Sequence, residues 1–335
     1  MDFLILFSIT VLLTYLYTKF PHTKNITSKV SFRSLHSQNT LRGGGIVFGT
    51  LFSVFIIYYF FNGKIDIIFT IIFGIYGLFA TLIGFFDDIY DIIAKKKFSM
   101  QFLLSISFTA SYFYFNYSNT FFENNGILVF ITICFWVFVP LWIINSFNFI
   151  DGINGLAIGT SIFSAIALIL SLYISKGSPD FIIIYYLLLI VCLGFLPFNF
   201  PAAKLFMGDA GSIFLGFIYG STVLVILFNH YLSIWTVISV FSYMLADTLS
   251  TNIIRLLTIK KWYGVHRSHA YQNLARVLNN HTKVTVGIML YNVFYIFPLT
   301  LFTVWFPDFA IYFTIAAILP AIIFSIKYGP LYSNK

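Results

Sequence analysis

The chain has 335 residues, of which 59% are hydrophobic and only 9% charged, with a formal net charge of +8. No water-soluble core needs so large an apolar share, so a soluble globular enzyme is excluded and the expected fold is an all-α polytopic membrane protein. The basic excess does not argue for a nucleic-acid partner, because basic loops on one side of a membrane account for it.

In chain order, apolar windows of roughly 17–21 residues give about eleven spans. They are Phe3–Tyr17, Ile46–Phe61, Ile67–Phe86, Phe102–Tyr117, Ile127–Ile144, Leu156–Ser175, Phe181–Leu196, Ile213–Phe228, Leu232–Ile254, Val286–Val304 and Phe309–Ile326. Unpaired backbone groups are not tolerated in lipid and the runs exceed barrel-strand length, so each span is expected to be a helix. No repeat or soluble insertion interrupts the pattern, and residues 1–335 read as one membrane domain. Asp2 precedes the first run where a secretory signal would place basic residues, so that run reads as a retained helix. Cys134 and Cys192 fall inside spans without metal-ligand spacing and read as packing residues.

With these spans, every Lys and Arg except Lys64 and Lys176 falls on one face. The positive-inside rule assigns that face to the cytoplasm and the N-terminus to the outside. Asp2, Asp66, Glu123, Asp180 and Asp308 then face outward, whereas Asp87, Asp88, Asp91, Asp151, Asp209 and Asp247 share the basic face. Ionisable groups at a membrane bundle are costly and mark function. So many at one face is the pattern of a metal and phosphate site.

The cytoplasmic loops carry the chemistry. The first, Phe20 to Gly45, contains Arg33-Ser34-Leu35-His36 and Arg42-Gly43-Gly44-Gly45. The glycines permit close approach of a ligand or backbone, and Arg42 suits a phosphate; a flexible basic loop on anionic headgroups is the rival reading. The second carries Asp87, Asp88 and Asp91, then Lys95, Lys96 and Lys97. If the helix continues, the three carboxylates share one side, where they repel unless one takes up a proton or a divalent ion binds. The alternative is an acidic helix end neutralised by the lysines.

In the third loop Asn145 and Asn148 are spaced to share a helical side, and Asp151 and Asn154 follow between Gly152 and Gly155. Such a set can hold a nucleotide base or complete a metal shell through oxygen, against the plainer role of mutual helix capping. The fourth loop holds Lys204, Phe206, Gly208, Asp209 and Ser212 before an apolar run. Ser212 is the expected N-cap, the free amides favour an anion, and Asp209 beside them can present Mg²⁺ to the same phosphate. The fifth, Arg255 to about Lys283, holds His266-Arg267-Ser268-His269. Histidines three apart face the same way on a helix, but no nearby cysteine or third histidine completes a zinc site. Phosphate binding by His266, Arg267 and His269 is preferred to zinc and to a plain surface helix.

Taken together, Asp87-Asp88, Asn145-x-x-Asn148-x-x-Asp151-Gly152, Phe206-Met207-Gly208-Asp209-x-Gly211-Ser212 and His266-Arg267-Ser268-His269-x-Tyr271-Gln272 resemble the polyprenyl-phosphate N-acetylhexosamine-1-phosphate transferases. The resemblance implies transfer of a sugar-1-phosphate from a UDP-N-acetylhexosamine to undecaprenyl phosphate in a bacterial inner membrane, with Mg²⁺, or Mn²⁺ in its place, and release of UMP. It makes Asp209 the leading metal ligand with Asn148 near metal or nucleotide, Asp87 and Asp88 the pair that prepares the lipid phosphate, and Asp151 a carboxylate near the uridine. His266, Arg267 and His269 match a phosphate-contacting loop. Asn145, Asn154, Lys204, Phe206, Gly208 and Arg42 join them as substrate-binding candidates, although many bacterial relatives carry aspartate where Asn154 stands. The last motif looks most like the branch that begins O-antigen or capsule repeats with deoxygenated amino sugars. A homodimer is admitted as a further partner.

Phosphoryl transfer asks mainly for positioning and charge neutralisation, which these residue types supply. Direct attack by the lipid phosphate and a route through an aspartyl-phosphate both remain open at this stage. The rival classes are an intramembrane prenyltransferase, which has no place for the Gly208-Asp209 and His266–His269 motifs, and a transporter or flippase, whose acids would sit at midplane in repeated halves.

Overall fold

A computed structural model describes residues 1–20, 27–28, 40–117, 126–258 and 266–332. Arg33, His36 and Glu123 lie outside the described residues. The helices are α1 (Asp2–Lys19), α2 (Gly45–Phe61), α3 (Ile67–Tyr90), α4 (Ala94–Tyr117), α5 (Gly126–Ile150), α6 (Leu156–Ile174) and α7 (Pro179–Asn199). They continue as α8 (Gly208–Phe228), α9 (Ile234–Val240), α10 (Ser242–Thr258), α11 (Ala270–Leu278), α12 (His281–Trp305) and α13 (Ala310–Tyr328). A two-residue antiparallel pairing sets Thr27 against Leu41 and Ser28 against Thr40.

Each expected span coincides with helical structure, and among the described residues eight helices are long and apolar enough to cross a membrane. The all-α polytopic reading therefore holds. One span differs in shape: Leu232–Ile254 is not straight but divides into α9 and α10, bent by 81°. Phe241 stands at the break, outside both helices. Hydropathy reports apolar length and is blind to direction, so a bent pair reads as one run.

The bundle is built around α8, 89% of whose apolar window is buried. Helices α2, α3 and α5 pack directly on it, while α6 pairs with α7 and α10 with α13. Because its neighbours come from distant parts of the sequence, whatever α3, α5 and α8 carry at their shared end is brought together. At the other end, Lys64 Nζ bonds Asp2 Oδ2 at 3.0 Å, and Lys64, Asp66 and Asp180 line one recess. These are residues that the basic-loop count puts on a common outer face.

Candidate active site

The site lies where α3 ends and α8 begins. Two glycines set that approach: a Cβ on Gly84 of α3 would stand 2.1 Å from the Asp209 carbonyl oxygen, and one on Gly45 of α2 would stand 1.9 Å from the Gly211 nitrogen. The first loop is stitched to the start of α8 by backbone bonds, Phe206 N–H to the Leu41 carbonyl (2.8 Å), Gly44 N–H to that of Phe206 (3.0 Å) and Gly45 N–H to that of Met207 (2.8 Å).

Asp88 is buried, and its two oxygens accept the backbone N–H groups of Asp209 and Ala210 at 3.0 Å each. A carboxylate at a helix start is favoured by the unpaired amides and the dipole there. Ser212, expected as the N-cap, instead lies inside α8, which begins at Gly208. A remote carboxylate satisfies the amides, and sequence spacing cannot show it. Gly208 has φ +68°, and a Cβ there would stand 2.4 Å from Asp88 Oδ2, so glycine meets both the conformation and the space.

Asp87 and Asp209 meet across Lys97, whose Nζ lies 3.0 Å from an Oδ2 of each. The second Asp87 oxygen accepts from Ile92 N–H at 2.8 Å. On the other side Asn148 Nδ2 donates to Asp209 Oδ1 and, at 3.0 Å, to Ser212 Oγ. The third "loop" is thus largely helix: α5 runs to Ile150 and carries Asn148 to the site on its last turn. Asn145 lies one turn earlier and returns its amide to the Leu141 carbonyl at 2.8 Å. Asp151 follows the helix end, where burial first, and then the Asp209 and Asp88 charges, hold its carboxyl well above the ordinary carboxylate range.

Asp91 does not share a side with Asp87 and Asp88. The helix ends there in a left-handed residue (φ 47°), and the exposed Asp91 carboxylate pairs with Arg42 at 2.6 Å. Arg42 is held near the site through this contact and the Tyr17 hydroxyl, which donates to its carbonyl at 3.1 Å. Lys204 is exposed and Phe206 half-buried on the loop before Gly208. Asn154 acts as a brace between elements: its amide donates to the Pro201 carbonyl at 3.2 Å and its own carbonyl accepts from the Thr285 hydroxyl at 2.7 Å.

His266 and His269 are not on a helix face. His266 lies in irregular chain and His269 caps α11, with the rings stacked at 5.2 Å. Burial, then the neighbouring His269 and Arg255, push His266 down to about 4, so it is a neutral ring at physiological pH. Arg267 is exposed and its carbonyl accepts from Arg276. The buried Asp247 bonds His269 Nδ1 at 2.9 Å. From sequence alone Asp247 is one of the clustered acids with no role of its own, and Lys97 is only a neutralising charge. Neither pairing has a local sequence signature, because Asp247–His269 and Lys97–Asp209 each join separate helices.

The site fits Mg²⁺ in kind. Its converging groups are carboxylates and an amide, the hard donors that ion takes, and an ammonium already lies between two of the carboxylate oxygens. Among the described residues no three acidic, imidazole or thiol groups form a ready-made cage. Mg²⁺ is commonly held in that way, by one or two carboxylates with substrate phosphates completing its shell.

Residues 69–228 match the family model described as glycosyl transferase family 4. The chain is 30% identical over 254 residues to a probable undecaprenyl-phosphate N-acetylglucosaminyl 1-phosphate transferase of Bacillus subtilis, covering 71% of this chain and 68% of that one. It is 32% identical over 232 residues to a phospho-N-acetylmuramoyl-pentapeptide-transferase of Staphylococcus saprophyticus, covering 62% and 70%. Against the enzyme of the same name from Prochlorococcus marinus, identity is 31% over 236 residues, covering 65% of this chain and 64% of the relative's length. With the fold, the convergence of Asp87, Asp88, Asn148 and Asp209, and these likenesses, the chain belongs to glycosyl transferase family 4, the polyprenyl-phosphate N-acetylhexosamine-1-phosphate transferases.

Proposed function

We propose that the protein transfers a sugar-1-phosphate of the N-acetylhexosamine type from a UDP-sugar to undecaprenyl phosphate, releasing UMP and starting a cell-surface polysaccharide such as O-antigen or capsule. The observation that carries this reading is the meeting of Asp87 and Asp209 across Lys97, with Asn148 on the far side of Asp209. A bundle end that concentrates acids around one cation suits a reaction between two phosphorylated substrates. Asp209, with Asp87 or Asn148, would hold Mg²⁺, which supplies neutralisation of charge on the diphosphate.

Lys97 is placed to turn from the carboxylates to a phosphoryl oxygen, and Arg42 to hold an anion at the site's edge. Asp88 keeps the start of α8 in place, which sets where the Asp209 carboxylate points. An oxygen of the lipid phosphate attacks the β-phosphorus of the nucleotide sugar, and the bond from that phosphorus to the bridging oxygen breaks with its electron pair leaving on UMP. Direct attack is favoured over an aspartyl-phosphate because both Asp88 oxygens are engaged by amides, and Asp87 is engaged by Ile92 N–H and Lys97.

Purified protein given undecaprenyl phosphate and a panel of UDP-N-acetylhexosamines should release UMP with one of them. EDTA should reduce the rate to background, and added Mg²⁺ or Mn²⁺ should restore it; a rate indifferent to chelation contradicts the metal assignment.

The distribution of Lys and Arg supports a site on the cytoplasmic side of the inner membrane, with the N-terminus outside. A cysteine introduced at Lys96 should react with an impermeant maleimide only after the membrane is opened. Labelling in intact cells would reverse the orientation.

A further inference from the structure

The proposed transfer makes no use of the acid buried on α10. Asp247 on α10 is fully buried, and each of its oxygens has one partner: Oδ2 meets His269 Nδ1 at 2.9 Å, and Oδ1 accepts from Ala270 N–H at 2.9 Å. The second contact pins the first turn of α11, so the His269 backbone is held as well as its ring. With Nδ1–H donated to a carboxylate, the ring orientation is set and Nε2 is the atom left to act. That atom is buried and has no hydrogen-bond partner among the described residues, on a residue only 2% exposed. Buried polar atoms are almost always satisfied, so an orphan of this kind asks for a ligand.

Its surroundings place it at the edge of the site. The His269 ring lies 5.6 Å from Phe149, 5.2 Å from His266 and 5.9 Å from Tyr271. Tyr271 in turn donates to the Phe149 carbonyl at 2.5 Å and feels the charge of Asp151. Of the three rings, His266 belongs to the irregular chain before α11 and is the one an entering ligand can displace without disturbing a helix. Arg255 reaches Ser268 at 3.5 Å, which brings a permanent cation, able to pair with an anionic group, to the chain just before His269.

We propose that Asp247 is a positioning residue that holds His269 with Nε2 turned toward a phosphoryl oxygen of the nucleotide sugar, the carboxylate serving as counter-charge to the ring that donates there. This inference rests on the nucleotide-sugar reading of the site. No covalent step is involved; the dyad binds and orients.

The test is calorimetric titration of the full-length protein in detergent with UDP and, separately, with uridine. Asp247→Asn keeps an acceptor for Ala270 N–H but turns an amide N–H toward Nδ1, so the ring can donate from Nε2 only as a neutral group, without the carboxylate's counter-charge. UDP affinity should fall about ten- to a hundredfold while uridine affinity stays unchanged. His269→Asn, which retains a donor to Asp247 but removes Nε2, should show the same selective loss, and adding Asp247→Asn to it should cost nothing more. Wild-type UDP affinity in either variant overturns the proposal, as does an equal loss for UDP and uridine, or losses that add in the double variant. Should Asp247→Asn fail to fold, His269→Asn decides by the same two ligands. If the wild type binds neither UDP nor uridine, the nucleotide reading itself fails and this inference falls with it, before any variant is compared.

Discussion

Replacing Asp209 with asparagine is expected to lower UMP release by about a thousandfold or more while leaving the protein folded. The asymmetry follows from what each oxygen does. Oδ1 accepts from Asn148, and the asparagine carbonyl oxygen can keep that bond. Oδ2 faces Lys97, which retains Asp87 at 3.0 Å as its other partner, so removing one charge does not strand the ammonium. The lost function is the anionic donor that would hold a divalent ion and set the charge balance at the reacting phosphates. A variant within a few-fold of wild type would refute the metal assignment, and a variant whose thermal midpoint collapses would show that Asp209 is structural.

The second large effect is steric. Gly84→Ala puts a carbon 2.1 Å from the Asp209 carbonyl oxygen and 2.5 Å from the Ala210 nitrogen, both backbone atoms that no rotamer change can move. Helix α3 has to shift away from α8, and the Asp88 bonds to the Asp209 and Ala210 amides shift with it. Overpacking of this kind costs about 1–3 kcal/mol, and a displacement of about 1 Å at reacting groups can cost about a hundredfold in rate. The expected result is therefore a lower thermal midpoint with a disproportionate loss of UMP release. Gly287→Ala is the matched control, since nothing lies within 4 Å of a Cβ there and a helical alanine is at least neutral. Equal behaviour of the two variants would mean that the α3–α8 contact does not position the site.

Much of the architecture was legible because membrane helices announce themselves by apolar length, and each expected span coincides with a helix. The bend between α9 and α10 was not, since hydropathy carries no direction. At the site, Asp87, Asp88, Asn148 and Asp209 could be named from local motifs of hard donors and glycines. Their division of labour could not: Asp88 caps a helix 121 residues away, and Lys97 bridges to an aspartate 112 residues on. Asp91 was misplaced for a local reason, because a left-handed helix terminus at a non-glycine residue has weak sequence markers. Asp247 was visible as an acid on the right face, but its pairing with His269 depends on how α10 and the start of α11 dock.

The claim that joins these observations is that the bundle end moves a sugar together with its phosphate onto a lipid phosphate. A UDP-N-acetylhexosamine labelled with ³²P at the β-phosphate, incubated with the purified protein, undecaprenyl phosphate and Mg²⁺, tests it directly. The label should pass into the lipid fraction while unlabelled UMP appears in the aqueous phase. Label retained on UDP, or remaining wholly on the nucleotide sugar across the substrate panel, would contradict the account.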